Sequence, residues 1–423
     1  MSDVKFSPFI PNGTLNAPPS KSDVHRAIIC AAMAGGKSRI SPVALSNDIR
    51  ATIGCIKALG ADAVLDGDVL TVDGTNMYKN KSALLDCGES GSTLRFFIPI
   101  AAAGAVNATF IGKGKLPERP IGIFTEALPK AGTACKTEGG LPLEISGQLK
   151  SGVFKIPGNV SSQFITGLLL ALPVLEGDSE IVLTSPLESV GYIAMTIRTM
   201  KQFGVEIQTT ENGWYIKGGQ AYKPCNYTTD GDWSQAAFFM VAGAINGDVT
   251  VKGVNKNSAQ GDKKIAEILK DFGADVEWND TSVRVKKGEL KALTIDAKQI
   301  PDLVPILSVC ASFAEGTTKI INAERLRIKE CDRLKASSEL INNLGGSVRE
   351  LADGLEIDGV KSLKGGSVDG YNDHRMVMSA GICAANVEGE IECSYALSIN
   401  KSYPDFYIDY NNIGGKANVL DIR

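Results

Sequence analysis

The sequence has no apolar run reaching about 18 residues, so no segment reads as a membrane span. It also has no excess of basic charge. The formal net charge is −4, which offers no field for nucleic acid, so any bound anion must be held by a local cluster of cations. Nine cysteines are scattered singly with no CxxC pair, and "MSDVKFSPFIPNG" has neither a basic start nor an apolar core of the kind that directs secretion. A reduced, cytoplasmic setting is expected. Aromatic residues make up only 6% of the chain against 45 glycines, a balance that favours tight packing and many short connections. Histidine is rarest. His25 and His374 are the only two, and each is followed directly by arginine, in "VHRAI" and "DHRMV".

What is present is a repeat. Six apolar strings rich in Ala and Gly, "HRAIICAAMAGG", "LRFFIPIAAAG", "FITGLLLALPVLEG", "QAAFFMVAGAING", "LVPILSVCASFAEG" and "RMVMSAGICAANVEG", close on Gly36, Gly104, Gly177, Gly247, Gly316 and Gly389, about 70 residues apart. Each closing glycine reads as a helix stop before a β-prone run. Out of phase with these come amphipathic strings such as "CIKALGADAVLDGDVLTVDG" and "ILKDFGADVEWNDTSVRVKKG", each a helix, a Gly stop and two strands. One repeat is therefore roughly βαβαββ. The sixth copy ends before its final strands, and the N-terminal segment before Pro18 is the candidate to complete it. The expected domains are residues 19–231, holding repeats one to three, and residues 1–18 with 232–423, holding repeats four to six. Crossings fall near Pro18 to Ser20 and near Thr229 to Asp232.

A helix that is apolar nearly all round is an interior helix, and only its ends reach water. The six N-termini read "PPSKS", "GESGS", "NVSSQ", "GDWSQ", "IPDLV" and "YNDHR". If the repeats are related by rotation, several helix N-termini and their unpaired N–H groups gather on one face, which attracts anions. Lys21, Arg26, Arg95, Arg119, Lys329, Arg333, Arg375 and Lys401 add charge there, so a ligand with more than one anionic group is the natural partner. Plainer readings exist for the same residues. Ser161 and Ser162 suit N-caps, "RIKECDR" suits a solvated helix face with a Glu330–Arg333 pair, and both histidines suit structural roles. Cys331 has no histidine or second cysteine close in sequence to make it a nucleophile.

Eight motifs, "PPSKSDVHRA", "GESGSTLR", "LPERPIG", "VSSQFITGLLLA", "IPD", "RIKECDRL", "YNDHRMVMS" and "NKSYPDF", span nearly the whole chain. In these motifs, and in their order, the chain resembles the 5-enolpyruvylshikimate-3-phosphate synthase family, the 3-phosphoshikimate 1-carboxyvinyltransferases. The resemblance implies a two-domain inside-out α/β barrel of six βαβαββ repeats, three per domain, that closes on its substrates. It implies transfer of the enolpyruvyl group of phosphoenolpyruvate to the 5-hydroxyl of shikimate 3-phosphate through a tetrahedral intermediate. No metal or organic cofactor is implied, and the expected state is a cytoplasmic monomer. The family is the target of glyphosate, which competes with phosphoenolpyruvate.

Carried over by position, Ser161, Ser162 and Ser189 are implied as ligands of the shikimate phosphate, with Lys21, Ser22, Arg26, Gln163, Tyr192, Asp302 and Lys329 around the rest of that substrate. Lys21, Gly91, Arg119, Gln163, Arg333, Arg375 and Lys401 are implied for phosphoenolpyruvate. Lys21, Asp302 and Glu330 are implied as the catalytic groups, with Asp302 the base for the 5-hydroxyl and Lys21 and Glu330 moving protons at the enol. Glu89 and Arg325 stand where the family commonly has asparagine, and Val190–Gly191 where it has a basic residue and proline, so contacts there are expected to differ. A rival is the transferase acting on UDP-N-acetylglucosamine, marked by asparagine after the helix-start lysine and by a loop cysteine. Here Ser22 follows Lys21, and "IGKGKLPERPIG" has no cysteine. A non-catalytic anion-binding protein on the same repeats would have no need of Lys21, Asp302 and Glu330 together.

Overall fold

The computed structural model describes residues 2–421. The second repeat shows the folding unit without interruption. Strand Ser82–Asp86 leads into the helix Gly91–Ala103, then come strand Asn107–Ile111, the short helix Gly122–Ala127, and the strands Thr133–Lys136 and Leu143–Gly147. The first two strands run parallel, Ser82 opposite Asn107 and Asp86 opposite Ile111, while the fourth pairs antiparallel with the second, Leu143 opposite Phe110. Alternation explains why these segments are strands: in Asn107–Ile111, Ala108 and Phe110 are buried and the residues between them are not. Among the described residues there are six four-stranded sheets, all with the same order of first, second, fourth and third strand.

Three strands are borrowed across long stretches of chain. Asn226–Thr228 supplies the first strand of repeat one beside Lys37–Ser41, and Asn12–Asn16 does the same for repeat four beside Asp248–Lys252. Ser2–Phe6 lies between Ile391–Cys393 and Ala417–Asp421 as the fourth strand of repeat six. The N-terminal segment thus gives that sheet one strand rather than several, because Ala417–Asp421 already fills the third place.

The chain clusters into two compact units, Pro19–Thr229 and the remainder, up to Pro18 and from Asp230 onward. Asp230 and Gly231, expected at the end of the first domain, cluster with the other unit. Ser258 Oγ donates to Asp230, Gln260 Nε2 donates to the Gly231 carbonyl, and a Cβ on Gly231 would meet the Gly253 carbonyl.

Each unit is built round three of the apolar helices. Lys21–Ala32, Gly91–Ala103 and Ser162–Ala171 belong to one; Trp233–Asn246, Val304–Ala311 and His374–Cys383 belong to the other and all pack on one another. Sheets cover them, so helices lie inside and strands outside. Gly91–Ala103 and Ser162–Ala171 approach closely for a definite reason. Pro99 has no N–H, which leaves the Arg95 carbonyl one turn earlier without its helical donor. Gly167 fits against that carbonyl, where a Cβ would come within 2.4 Å of the oxygen.

The glycines that close the apolar strings correct one expectation. Of the six, only Gly316 has positive φ; the others are glycine because another part of the chain crosses them. A Cβ on Gly104 would lie 2.2 Å from the Tyr78 ring, and one on Gly247 2.1 Å from the Pro11 carbonyl. Left-handed caps do close the amphipathic helices, at Gly60 (φ 116°) and Gly273 (φ 107°) for example. Among the described residues no helix is long and apolar enough to cross a membrane, and no group of three or more His, Cys, Asp or Glu could hold a metal ion.

Gly167→Ala is expected to cost about 1–3 kcal/mol, since backbone rather than a flexible side chain blocks the new methyl group. Urea unfolding of the variant against the wild type measures it.

Candidate functional site

In the Pro19–Thr229 unit the polar groups collect at helix starts. Ser90 Oγ caps the Gly91 helix by accepting from Thr93 N, and Ser161 Oγ caps the Ser162 helix by accepting from Gln163 N at 3.3 Å. Ser161 is therefore a cap, with its own hydroxyl hydrogen left to donate. Ser162 is buried in the first turn, and Ser189, also buried, holds a left-handed φ of 55° ahead of the helix Val190–Gln202. Gln163 joins two helix starts: its Nε2 donates to Ser92 Oγ at 3.0 Å and its Oε1 accepts from Arg95 Nη1 at 2.6 Å.

Lys21 begins its helix and donates to Asp48 Oδ2 at 2.7 Å. Arg26, one turn on, is buried against the rings of Phe96 and Tyr192. It donates to Thr196 Oγ1, Thr166 Oγ1 and the carbonyls of Ser22 and Tyr192. Burial pulls its pKa down to about 10, and those four bonds leave one N–H, on Nη1, for anything else. Such a group offers an anion a single bond rather than a fork. Arg119 lies across Gly91, where a Cβ would come within 2.8 Å of Nη1 and 2.9 Å of Cζ. Gly91 is thus the seat of a guanidinium. His25 is fully buried, with Nδ1 2.7 Å from Thr52 Oγ1, and burial plus the nearby Lys21 and Arg26 charges hold it well below the usual histidine pKa. It is a neutral structural side chain.

In the other unit the charges centre on Arg333, which is 1% exposed. Nε donates to Asp373 Oδ2 at 2.8 Å, Nη1 to Asp302 Oδ1 at 2.9 Å, and Nη2 lies 2.7 Å from Glu330 Oε2. Burial opposes its charge, but Asp373, Glu330 and Asp302 outweigh that and raise its pKa. Asp302 also receives Lys329 Nζ at 3.5 Å and stands 3.7 Å from Arg375 Nη2, while its carbonyl accepts from Arg375 Nη1 at 3.0 Å. Burial takes the Lys329 pKa below the usual lysine value despite Asp302. Lys401 Nζ donates to the Asn372 carbonyl. Burial, with Asp373 beside it, pushes the Cys331 thiol far up, which suits packing rather than attack.

Asp302, Lys329, Glu330, Arg333 and Arg375 therefore form one charged cluster, and Gly91, Arg119 and Gln163 sit among the helix starts that carry Ser92 and Ser162. Glu89 and Arg325 have local partners: the Glu89 carboxylate lies over Gly114, and Arg325 Nη2 donates to the Lys298 carbonyl. Three carboxylates were not among the sequence candidates: Asp48, which holds Lys21, Asp373, which holds Arg333, and Asp262, which accepts from Ser234. Asp373 had a signal, since an aspartate just before an apolar helix is an N-cap, here accepting from Arg375 N. For Asp48 and Asp262 the signal was the repeat itself. Lys21 and Asp48 are 27 residues apart, Asp302 and Lys329 also 27, and Ser234 and Asp262 28; Asp48 and Asp262 open the next helical segment, while Lys329 directly follows the turn Glu324–Ile328. A surface cavity of about 490 Å³ lined by Lys130, Lys150 and Lys155 among others contains none of these residues.

Removing Asp373 leaves a buried arginine short of its main partner and a helix without its cap. Asp373→Ala is expected to cost about 3 kcal/mol or more in urea unfolding at pH 7. The Asp373 pKa lies below the ordinary carboxylate value, since Arg333 and His374 outweigh the opposing effect of burial. Its contribution is therefore fully present above about pH 4 and lost as pH falls through its folded pKa, so the gap between variant and wild type should narrow in acid.

The model of the family described as EPSP synthase (3-phosphoshikimate 1-carboxyvinyltransferase) matches residues 11–409. A relative from Clostridium acetobutylicum named 3-phosphoshikimate 1-carboxyvinyltransferase is 46% identical over 98% of both chains. One of the same name from Clostridium perfringens is 44% identical over 98% of this chain and 99% of its own. Among solved structures, EPSP synthase from Acinetobacter baumannii superposes with a TM-score of 0.85 at 26% identity, covering all of both chains. The enolpyruvyl transferase NikO from Streptomyces tendae, at 15% identity and a TM-score of 0.81, shares the fold over the full length of both chains. A family model that matches residues 11–409, near-complete coverage and relatives well above 30% identity make this chain a member of the EPSP synthase family.

Proposed function

We propose that the helix-start and carboxylate-bound cations described above carry out the family's reaction in this chain. That reaction transfers the enolpyruvyl group of phosphoenolpyruvate to the 5-hydroxyl of shikimate 3-phosphate and releases phosphate. The observation that carries the assignment of roles is the cluster at Asp302, where Lys329, Arg333 and Arg375 converge on one carboxylate within a bond or two of Glu330.

Ser161, Ser162 and Ser189 take the phosphate of shikimate 3-phosphate, whose oxygens suit hydroxyl and helix N–H donors. Lys21, Ser22, Gln163, Tyr192, Lys329 and the remaining N–H of Arg26 hold its ring and carboxylate. Gly91, Arg119, Gln163, Arg333, Arg375 and Lys401 take phosphoenolpyruvate together with Lys21. Asp302 removes the proton of the 5-hydroxyl as its oxygen attacks the enol carbon. Lys21 and Glu330 deliver a proton to the methylene carbon and take one back as phosphate leaves. The surrounding cations stabilise the charge on the tetrahedral intermediate. In this scheme the enzyme works as a cytoplasmic monomer without metal or organic cofactor.

Inorganic phosphate release from the two substrates tests the scheme. Lys21→Met or Glu330→Gln should lower the rate at least about 100-fold. A folded wild-type sample that releases none would overturn it. Gly91→Ala displaces the flexible end of Arg119 rather than backbone, so its stability should stay near wild type. Its KM for phosphoenolpyruvate should rise on the order of tenfold, the worth of one charge-assisted hydrogen bond.

A further inference from the structure

Asp262 belongs to none of the roles above. It sits in the short turn Gly261–Lys264, is 5% exposed, and its Oδ2 accepts a hydrogen bond from Ser234 Oγ. Ser234, in the first turn of the apolar helix Trp233–Asn246, in turn accepts from Arg375 Nη2 at 3.2 Å. The same Nη2 lies 3.7 Å from Asp302 Oδ2. A continuous path therefore runs from Asp262 through one hydroxyl to a guanidinium of the proposed phosphoenolpyruvate set. We propose that Asp262 is a positioning residue for Arg375, acting through Ser234, and that it takes up a proton from water when an anion binds to that arginine. This rests on the functional reading above.

The geometry explains both halves. A serine hydroxyl has one hydrogen to donate, and giving it to Asp262 turns its lone pairs toward Arg375, which fixes the guanidinium in plane and direction. Asp262 is also poised to titrate. Burial, reinforced by the Asp302 carboxylate, pushes it up to about 7 against the opposing pull of the Ser234 bond and Arg375. Asp302, Arg375 and Asp232 are the charged groups that act on it, Asp232 raising its proton affinity further. The adjacent Lys263 is turned away, its Nζ on the carbonyls of Lys256 and Ser258. An anion on Arg375 adds negative charge and draws off the positive charge that favours ionised Asp262, so binding and protonation support each other. Above about pH 7 the anion must meet a charged Asp262, and affinity falls.

The test is the KM for phosphoenolpyruvate between pH 6 and pH 8.5 in wild type and Asp262→Asn, at saturating shikimate 3-phosphate. The ligand's own ionisation is common to both proteins and cancels in the ratio. The ratio of wild-type to variant KM should rise by about threefold or more across this range, with kcat of the variant within about twofold of wild type. A ratio that stays constant overturns the proposal. Ser234→Ala provides a second reading should the first variant not fold: KM for phosphoenolpyruvate should rise about tenfold while KM for shikimate 3-phosphate holds, and Ser234→Thr, which keeps a hydroxyl, should restore it. Equal KM values for phosphoenolpyruvate in Ser234→Ala and wild type overturn it as well. A wild-type enzyme that turns over normally while these arms fail removes only the role of Asp262. One that releases no phosphate removes the functional reading itself.

Discussion

Everything in this fold follows from what an apolar helix can do with its ends. A helix buried on all sides satisfies its middle internally, but its first N–H groups have no partner within it and must find one. In this chain the partners are Ser90, Ser161, Asp232 and Asp373, each accepting from a backbone N–H of the helix it precedes. In these four repeats polar side chains are thereby forced to the same end of the helix, next to the positive pole of its dipole. A surface that binds anions is a consequence of burying such helices, and the arginines and lysines build on a potential already present.

Close approach is what lets those ends meet. Gly167 against the carbonyl released by Pro99, and Gly91 beneath Arg119, are two uses of a missing side chain, one to bring helices together and the other to seat a charge. The glycines that close the apolar strings, Gly316 apart, make room for other parts of the chain to cross. They lie under crossing chain at Tyr78 and Pro11, which a pattern search cannot distinguish from a left-handed cap because both demand the same residue. Most of the amphipathic helices do end in left-handed glycine, as Gly60 and Gly273 do, so the same letter carries two physical meanings in one repeat.

Period and polarity made the repeat, its βαβαββ order and the charged helix starts legible from sequence, because each is a local pattern copied several times. What stayed hidden is pairing across the repeat. Lys21 gives no sign that Asp48 holds it, nor Ser234 that Asp262 does, since the partners lie about one helix and one strand apart and meet only when the next helical segment packs beside the first. The nearly constant interval of 27 or 28 residues shows that a repeat encodes such contacts too, at one step of spacing longer than a motif. Arg26 was hidden differently. Its sequence position fits an anion ligand, yet four of its donors are spent on the unit's own oxygens, a matter of packing between helices that no motif records.

The cations of the proposed site meet their substrates already bound to carboxylates. Arg333 without Asp373 would be a buried charge short of its main partner, and Lys329, Arg333 and Arg375 near one point would repel each other if Asp302 did not stand among them. Those same carboxylates then compete with an incoming anion. On the reading proposed above, this competition has a chemical use. When phosphate and carboxylate groups of the substrates draw the cations toward themselves, Asp302 and Glu330 give up part of their ion pairing with Lys329, Arg333 and Arg375. A carboxylate oxygen released in this way is available to accept from a substrate hydroxyl, so the binding of one polyanion prepares the proton transfer to the other.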